Sequence, residues 1–336
     1  MLAFVMFPIR LAPRQLLAVC SAALLCSACG ITSAAAPTAA AVMATEVRTN
    51  IAAPSATPTA TPTHTPPSTA TPTASPTATP TATLTASPWP TPDAAARKRI
   101  VRVPILMYHR VEPLPAKSGL LRAGLTVIPQ DFQIQMDWLR ERGFESISLY
   151  DMQNHLALGQ PLPDKPIVIS FDDGYRGVYD FAYPVMRAHG YTGTLFVPTE
   201  LIDKQQPDYI NWQMAEELAR AGWKIEPHTK SHVELPGQPH KYILYQVLGS
   251  METIRAHVGY QPRYFCYPGG EYDAEVIGLL KEIGYWGAVT TRFAIDHQLK
   301  DAYKWGRVRV TGQETLRDFA LYLAEPLPTA SPTPAS

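Results

Sequence analysis

Ile167-Val168-Ile169-Ser170-Phe171-Asp172-Asp173-Gly174 sets the fold: an apolar, β-branched run that stops abruptly at two carboxylates and a glycine. Such a run reads as a strand buried on both faces, because a strand with one wet face would alternate polar and apolar residues. Working outward, similar short runs recur at 103–108, 146–149, 194–197, 223–225, 264–267, 287–290 and 308–310. Between them lie segments with helical periodicity, at 129–142, 149–158, 178–189, 212–221, 238–258, 274–283 and 313–323. Doubly buried strands alternating with helices predict an α/β protein with a parallel sheet. Seven or eight such units favour a closed barrel over an open sheet, and barrels of this kind carry their chemistry where strands end and loops begin.

Outside this region the composition changes. The 336 residues include 33 Pro, concentrated in an N-terminal stretch and a short C-terminal tail, which leaves one domain of ordinary composition. The Ala/Thr/Pro-rich tract at 30–97 holds almost nothing to bury, and is expected to be a disordered linker ahead of a single domain at 98–325; a tail at 326–336 repeats its chemistry. Lys+Arg and Asp+Glu both number 29, and no long run of one sign occurs, so no nucleic-acid partner is implied. Three of the 4 Cys lie in the first thirty residues, and only Cys266 falls in the domain, which excludes an internal disulfide there. Arg10 and Arg14 precede the apolar run at 16–25, which suits an export signal at 1–29. Leu25-Cys26-Ser27-Ala28-Cys29 resembles a bacterial lipoprotein cleavage site; Cys29 would then carry a lipid that anchors an exported, cell-surface protein to the membrane. The alternative is ordinary secretion after cleavage near Ala28 or between Ala34 and Ala36.

Four polar clusters fall at strand ends. In Asp172-Asp173-Gly174, successive side chains point to opposite sides, so one carboxylate can bind a metal while its neighbour stays free as a base. A helix N-cap with a turn would use the same residues. His228-Thr229-Lys230-Ser231-His232 places two imidazoles four residues apart, on one side of a helical turn. With Asp173 as a third ligand they form a two-His, one-carboxylate set suited to Zn²⁺ or a similar divalent cation. Tyr267-Pro268-Gly269-Gly270 is a turn whose backbone N–H groups could hold an oxyanion, or simply a tight turn. Tyr108-His109 ends the first run, and His109 could donate a proton to a leaving amine or bond structurally to backbone.

Together, in this order, the clusters resemble the polysaccharide deacetylases of carbohydrate esterase family 4, the NodB-homology domain, over about 101–310. The resemblance implies a distorted (β/α)7 barrel that removes N-acetyl groups from a glycan of N-acetylglucosamine type. It implies Asp173, His228 and His232 as ligands of a divalent metal, usually Zn²⁺, and Asp172 as catalytic base. The opening Pro104-Ile105-Leu106-Met107-Tyr108-His109 is similar to the branch acting on poly-N-acetylglucosamine, which makes His109 the catalytic acid. Tyr267 and Gly269 would then serve the oxyanion and substrate. Two departures stand out. Cys266 occupies the place where the family usually has an arginine that orients the base, and Gly269 stands where a tyrosine is common. They motivate two alternatives, an inactive glycan-binding module on the same barrel and, with weaker support, a glycoside hydrolase using Asp172.

Overall fold

The computed structural model describes residues 89–323. Seven parallel strands organise it: β1 (Ile105–Tyr108), β2 (Pro166–Phe171), β3 (Thr194–Val197), β4 (Lys224–Pro227), β5 (Tyr264–Cys266), β6 (Gly287–Val289) and β7 (Val308–Arg309). Hydrogen-bonded ladders run in the order β7-β1-β2-β3-β4, and β5 pairs with β6. Two seams join these sets. At one, Glu226 of β4 accepts the N–H groups of Arg263 and Tyr264 at the start of β5, both at 2.9 Å. At the other, Thr290 N donates to Trp305 O at 2.9 Å, and Trp305 N to Ala288 O at 3.1 Å. With helices between successive strands, the arrangement is that of the expected distorted (β/α)7 barrel.

Side-chain alternation explains why the strands read as continuous apolar runs. Ile105, Val168 and Phe196 enter one buried cluster, together with Tyr264, Val289 and Trp305. Their neighbours Leu106, Ile167, Ile169, Leu195 and Val197 enter another, with Phe132, Met136 and Leu218 from the helices. Both faces are therefore covered, and each large side chain so buried contributes roughly 1.5–3 kcal/mol. Helix limits follow local chemistry. Ser148 and Asp151 form a capping box at the start of Leu149–Leu158, and Asp273 caps Ala274–Ile283. The latter helix ends at Gly284, at φ 95°, a conformation other residues adopt at a cost.

Two expectations shift. The tract expected to stay disordered to residue 97 is packed from Trp89 onward: its indole stacks on Tyr303 at 6.3 Å, and Asp93 N donates to Ala157 O at 2.8 Å. An apolar indole among prolines was the overlooked signal. Second, His228 and His232 do not share a helix. Residues 229–231 form a turn, with Thr229 at φ 63° and His232 at φ 57°. Cys29 and the export segment lie outside the described residues.

Candidate metal centre and catalytic pocket

The carboxyl-terminal ends of β2, β4 and β5 meet at one rim. Asp172 continues β2 by donating its N–H to Tyr108 O at 2.9 Å, after which the chain turns through Asp173 and Gly174, both left-handed at φ 70° and 69°. For an aspartate that conformation is uncommon, and it is held because the surrounding contacts dictate it. The outcome is that the two adjacent carboxylates diverge. Asp173 Oδ1 lies 3.3 Å from His228 Nε2 and 3.0 Å from His232 Nε2.

His228 follows β4, with its N–H bonded to Val197 O at 3.0 Å. Its ring is aimed by Nδ1, which lies 2.7 Å from the Cys266 carbonyl. A carbonyl can only accept, so Nδ1 carries the proton and Nε2 presents a lone pair toward Asp173. The turn that returns to His232 is stapled by buried Gln246 from the helix His240–Val258. Its Oε1 accepts the N–H groups of Lys230 at 2.8 Å and Ser231 at 3.1 Å, and its Nε2 donates to Ser231 Oγ at 2.8 Å. His232 is the open side of the cluster, with its side chain 42% exposed. Burial would raise the Asp173 carboxyl, but its bonds to the two imidazoles outweigh this and hold it far below the usual range. The bond to Asp173 in turn raises His232.

One carboxylate oxygen and two aimed imidazole nitrogens within 4.8 Å of one another are the donor set of a borderline divalent cation, with one side open. A second grouping, Asp172, His228 and Cys266, is equally compact. It suits a metal poorly. Burial pushes the Cys266 thiol far up, which keeps it protonated, and both Asp172 oxygens are already taken.

They are taken by an arginine from the last strand. Arg307 donates to Asp172 Oδ1 and Oδ2 at 2.7 Å each, to Cys266 Sγ at 3.2 Å and to Thr290 O at 3.0 Å, and its side chain is fully buried. Burial would raise Asp172, but the guanidinium charge and its paired bonds win and leave it lowered. This corrects the sequence reading. An arginine does orient Asp172, arriving from just before β7, while Cys266 packs 3.5 Å from Asp172 Oδ2. The overlooked signal was a charged residue in Trp305-Gly306-Arg307-Val308, where the chain enters a buried strand.

The remaining expected residues divide. His109 follows β1 within reach of the charges of Asp172 and Asp173; burial lowers its proton affinity, and Nδ1 is buried without a partner. Gly269 stands in the expected turn, at φ 67°, with Glu234 Oε1 3.0 Å from where a Cβ would sit. Tyr267, expected at the oxyanion and substrate, serves neither: its side chain is fully buried, its hydroxyl donates to Tyr303 O at 2.9 Å, and its N–H donates to Val289 O. His297 is also structural, with Nε2 3.1 Å from Val103 O and burial lowering it to about 4.

A parallel barrel whose rim gathers an aspartate–histidine cluster able to hold a divalent ion, beside an arginine-held carboxylate, has the layout of a metal-assisted hydrolase. The chain matches the polysaccharide deacetylase family over residues 159–288, and it carries a polysaccharide deacetylase domain of the NodB-homology, carbohydrate esterase family 4 type. Among similar proteins, YxkH of Bacillus subtilis (strain 168) is 28% identical over 222 residues, 66% of this chain and 76% of YxkH. The poly-beta-1,6-N-acetyl-D-glucosamine N-deacetylase of Escherichia coli (strain K12) is 24% identical over 261 residues, covering 64% of this chain but 37% of that protein. The Streptococcus pyogenes deacetylase PplD, solved in complex with acetate, shares the fold with a TM-score of 0.64 at 20% identity, over 68% of this chain and 100% of that one.

Proposed function

We propose that this chain is an exported, metal-dependent deacetylase that hydrolyses N-acetyl groups on a polysaccharide of N-acetylglucosamine type. The observation that carries the reading is the meeting of Asp173 Oδ1, His228 Nε2 and His232 Nε2 beside an ionised Asp172 clamped by Arg307. Those three atoms would hold the divalent ion, and their N₂O chemistry favours Zn²⁺. Such an ion, when bound, acidifies water and polarises an acetyl carbonyl.

The chain's own groups perform the proton transfers. Asp172 takes a proton from the attacking water as its oxygen bonds to the acetyl carbon. Gly269 offers its N–H to the oxyanion that forms on the substrate. As the carbon–nitrogen bond breaks, His109 protonates the departing sugar amine, leaving acetate and a free glucosamine unit. Burial of His109 makes its charged form a ready donor. Arg307 keeps Asp172 ionised without touching substrate.

Relatives named as poly-beta-1,6-N-acetyl-D-glucosamine N-deacetylases support that polymer as the first substrate to try. The sequence of the export segment supports a surface location, with Cys29 as the lipidated residue. The inactive-module alternative loses its chief motive, because the base has its arginine. Acetate release from a panel of N-acetylated glycans, with and without chelator, tests the reading. Chelator-sensitive release is expected; glycan binding without any acetate would contradict it.

A further inference from the structure

The two imidazoles of the proposed metal site are held by unlike means. His228 is fixed by its strand: its N–H bonds to Val197 O at 3.0 Å, and its Nδ1 lies 2.7 Å from Cys266 O. His232 ends a turn whose backbone is left-handed at Thr229, φ 63°, and again at His232 itself, φ 57°. A β-branched residue resists that conformation and histidine adopts it uncommonly, so a chain of this sequence left to itself would abandon it. Were the turn to relax, His232 Nε2 would not stay 3.0 Å from Asp173 Oδ1. Packing alone does not fix this ring, because its side chain is 42% exposed against 3% for His228.

The hold on the turn comes from the helix His240–Val258. Its inward face is apolar at Ile243, Val247, Met251 and Ile254, yet Gln246 stands in the same row and is 1% exposed. An amide at a core position is costly unless its bonds are made. All three that it makes among the described residues go to the turn. Oε1 accepts the N–H groups of Lys230 at 2.8 Å and Ser231 at 3.1 Å, which uses both its lone pairs, and Nε2 donates to Ser231 Oγ at 2.8 Å. One helical turn further on, Gly249 lets the same loop lie close: a Cβ there would stand 2.9 Å from Lys230 Cδ. Glycine weakens a helix interior, and here its missing side chain makes room for the lysine stem. From the opposite side, Thr199 N donates to Thr229 O at 3.3 Å and Glu200 N to Lys230 O at 2.8 Å. The turn is gripped between two elements, and Gln246 supplies the side-chain half of that grip.

We propose that Gln246 is a positioning residue for the divalent ion: by fixing the turn that presents His232, it sets how tightly the ion is held. The inference rests on the metal-dependent reading and assigns it a determinant outside the ligands themselves. Asp173 and His228 do not depend on this turn, so loss of the staple should weaken metal binding without abolishing it.

The test measures Zn²⁺ affinity of the full chain by competition with a chromophoric chelator, for wild type, Gln246→Met, Gln246→Glu and Ser231→Ala. Folding of each metal-free protein is checked by circular dichroism. The methionine keeps length and volume but makes no hydrogen bond to the turn, and should weaken Zn²⁺ by about 10- to 100-fold, the scale on which groups supporting metal ligands act. The glutamate can still accept both N–H groups while Ser231 turns its hydroxyl to donate, and should recover most of that affinity. Co²⁺ bound to the methionine variant should show a shifted visible spectrum, because His232 then meets the ion differently. A merely structural residue would lower the melting temperature and leave both affinity and spectrum unchanged. Wild-type affinity and spectrum in a folded Gln246→Met protein would therefore overturn the inference and leave the metal site standing. Should that variant not fold, Ser231→Ala decides: a smaller loss of affinity is expected, and none would contradict the proposal. Failure of the wild type to bind Zn²⁺ or Co²⁺ would overturn the metal-dependent reading and this inference with it.

Discussion

Two buried acids sit two strands apart on the same barrel, and they are held in opposite ways. Asp172, at the end of β2, faces a guanidinium at 2.7 Å on each oxygen and is lowered despite its burial. Among the described residues, Glu226, in β4, receives three donors and pairs with no cation: the N–H groups of Arg263 and Tyr264, both at 2.9 Å, and the Tyr150 hydroxyl at 2.8 Å. Burial wins there and pushes it up to about 8. Burial therefore does not decide what a carboxyl does; its partner does. The acid given a cation is held ionised, as the proposed base must be, whereas the one given neutral donors stitches β4 to β5.

The sharpest break in this comparison is Asp172→Asn, which removes the proposed base while preserving its shape. It should lower kcat on an N-acetylated oligomer by about 10²- to 10⁴-fold with little change in melting temperature. Arg307→Met comes next. It strands a buried charge, and should cost roughly 3–5 kcal/mol in denaturant unfolding while moving the acid limb of kcat/KM to higher pH, because Asp172 must then ionise unaided. Glu226→Ala leaves two seam N–H groups without acceptors, at about 1–3 kcal/mol each, and should weaken the fold more than it alters the pH dependence of turnover.

The smallest effect is the most diagnostic. Glu226 is raised in the fold from an ordinary 4.5 to about 8, so above 4.5 the unfolded chain has released a proton that the fold still holds. Its contribution is complete below 4.5 and is lost as pH climbs through 8. Glu226→Gln can keep the seam bonds and should flatten stability across that window. His297, lowered to about 4, acts on the opposite side: it costs stability as pH falls below its ordinary 6.5, and the variant leaves that acid slope in place. Melting temperature against pH for both proteins separates the two.

Most of the fold was legible because period and punctuation are local. The strand expected at 194–197 and the helices expected at 149–158 and 274–283 coincide with the observed elements. The meeting of Asp173, His228 and His232 was legible because Asp-Asp-Gly and the two histidines are short motifs at strand ends. What escaped was long-range. Arg307 reaches Asp172 across 135 positions of sequence, and nothing near either residue announces the other. The left-handed backbone at Asp173, Thr229 and His232 escaped for a related reason. Aspartate, threonine and histidine seldom adopt it unaided, and only tertiary contacts such as those of Gln246 impose it. Tyr267 was misassigned because an aromatic beside a glycine turn reads alike whether its ring faces a ligand or the core.

The most direct test of the account is elemental analysis of the purified protein and its variants for bound divalent metal. Wild type and Asp172→Asn should each carry about one equivalent, while His228→Ala and His232→Ala, folded by circular dichroism, should carry far less. Equal metal content in all four proteins would mean that Asp173, His228 and His232 do not hold the ion on which the deacetylase reading depends.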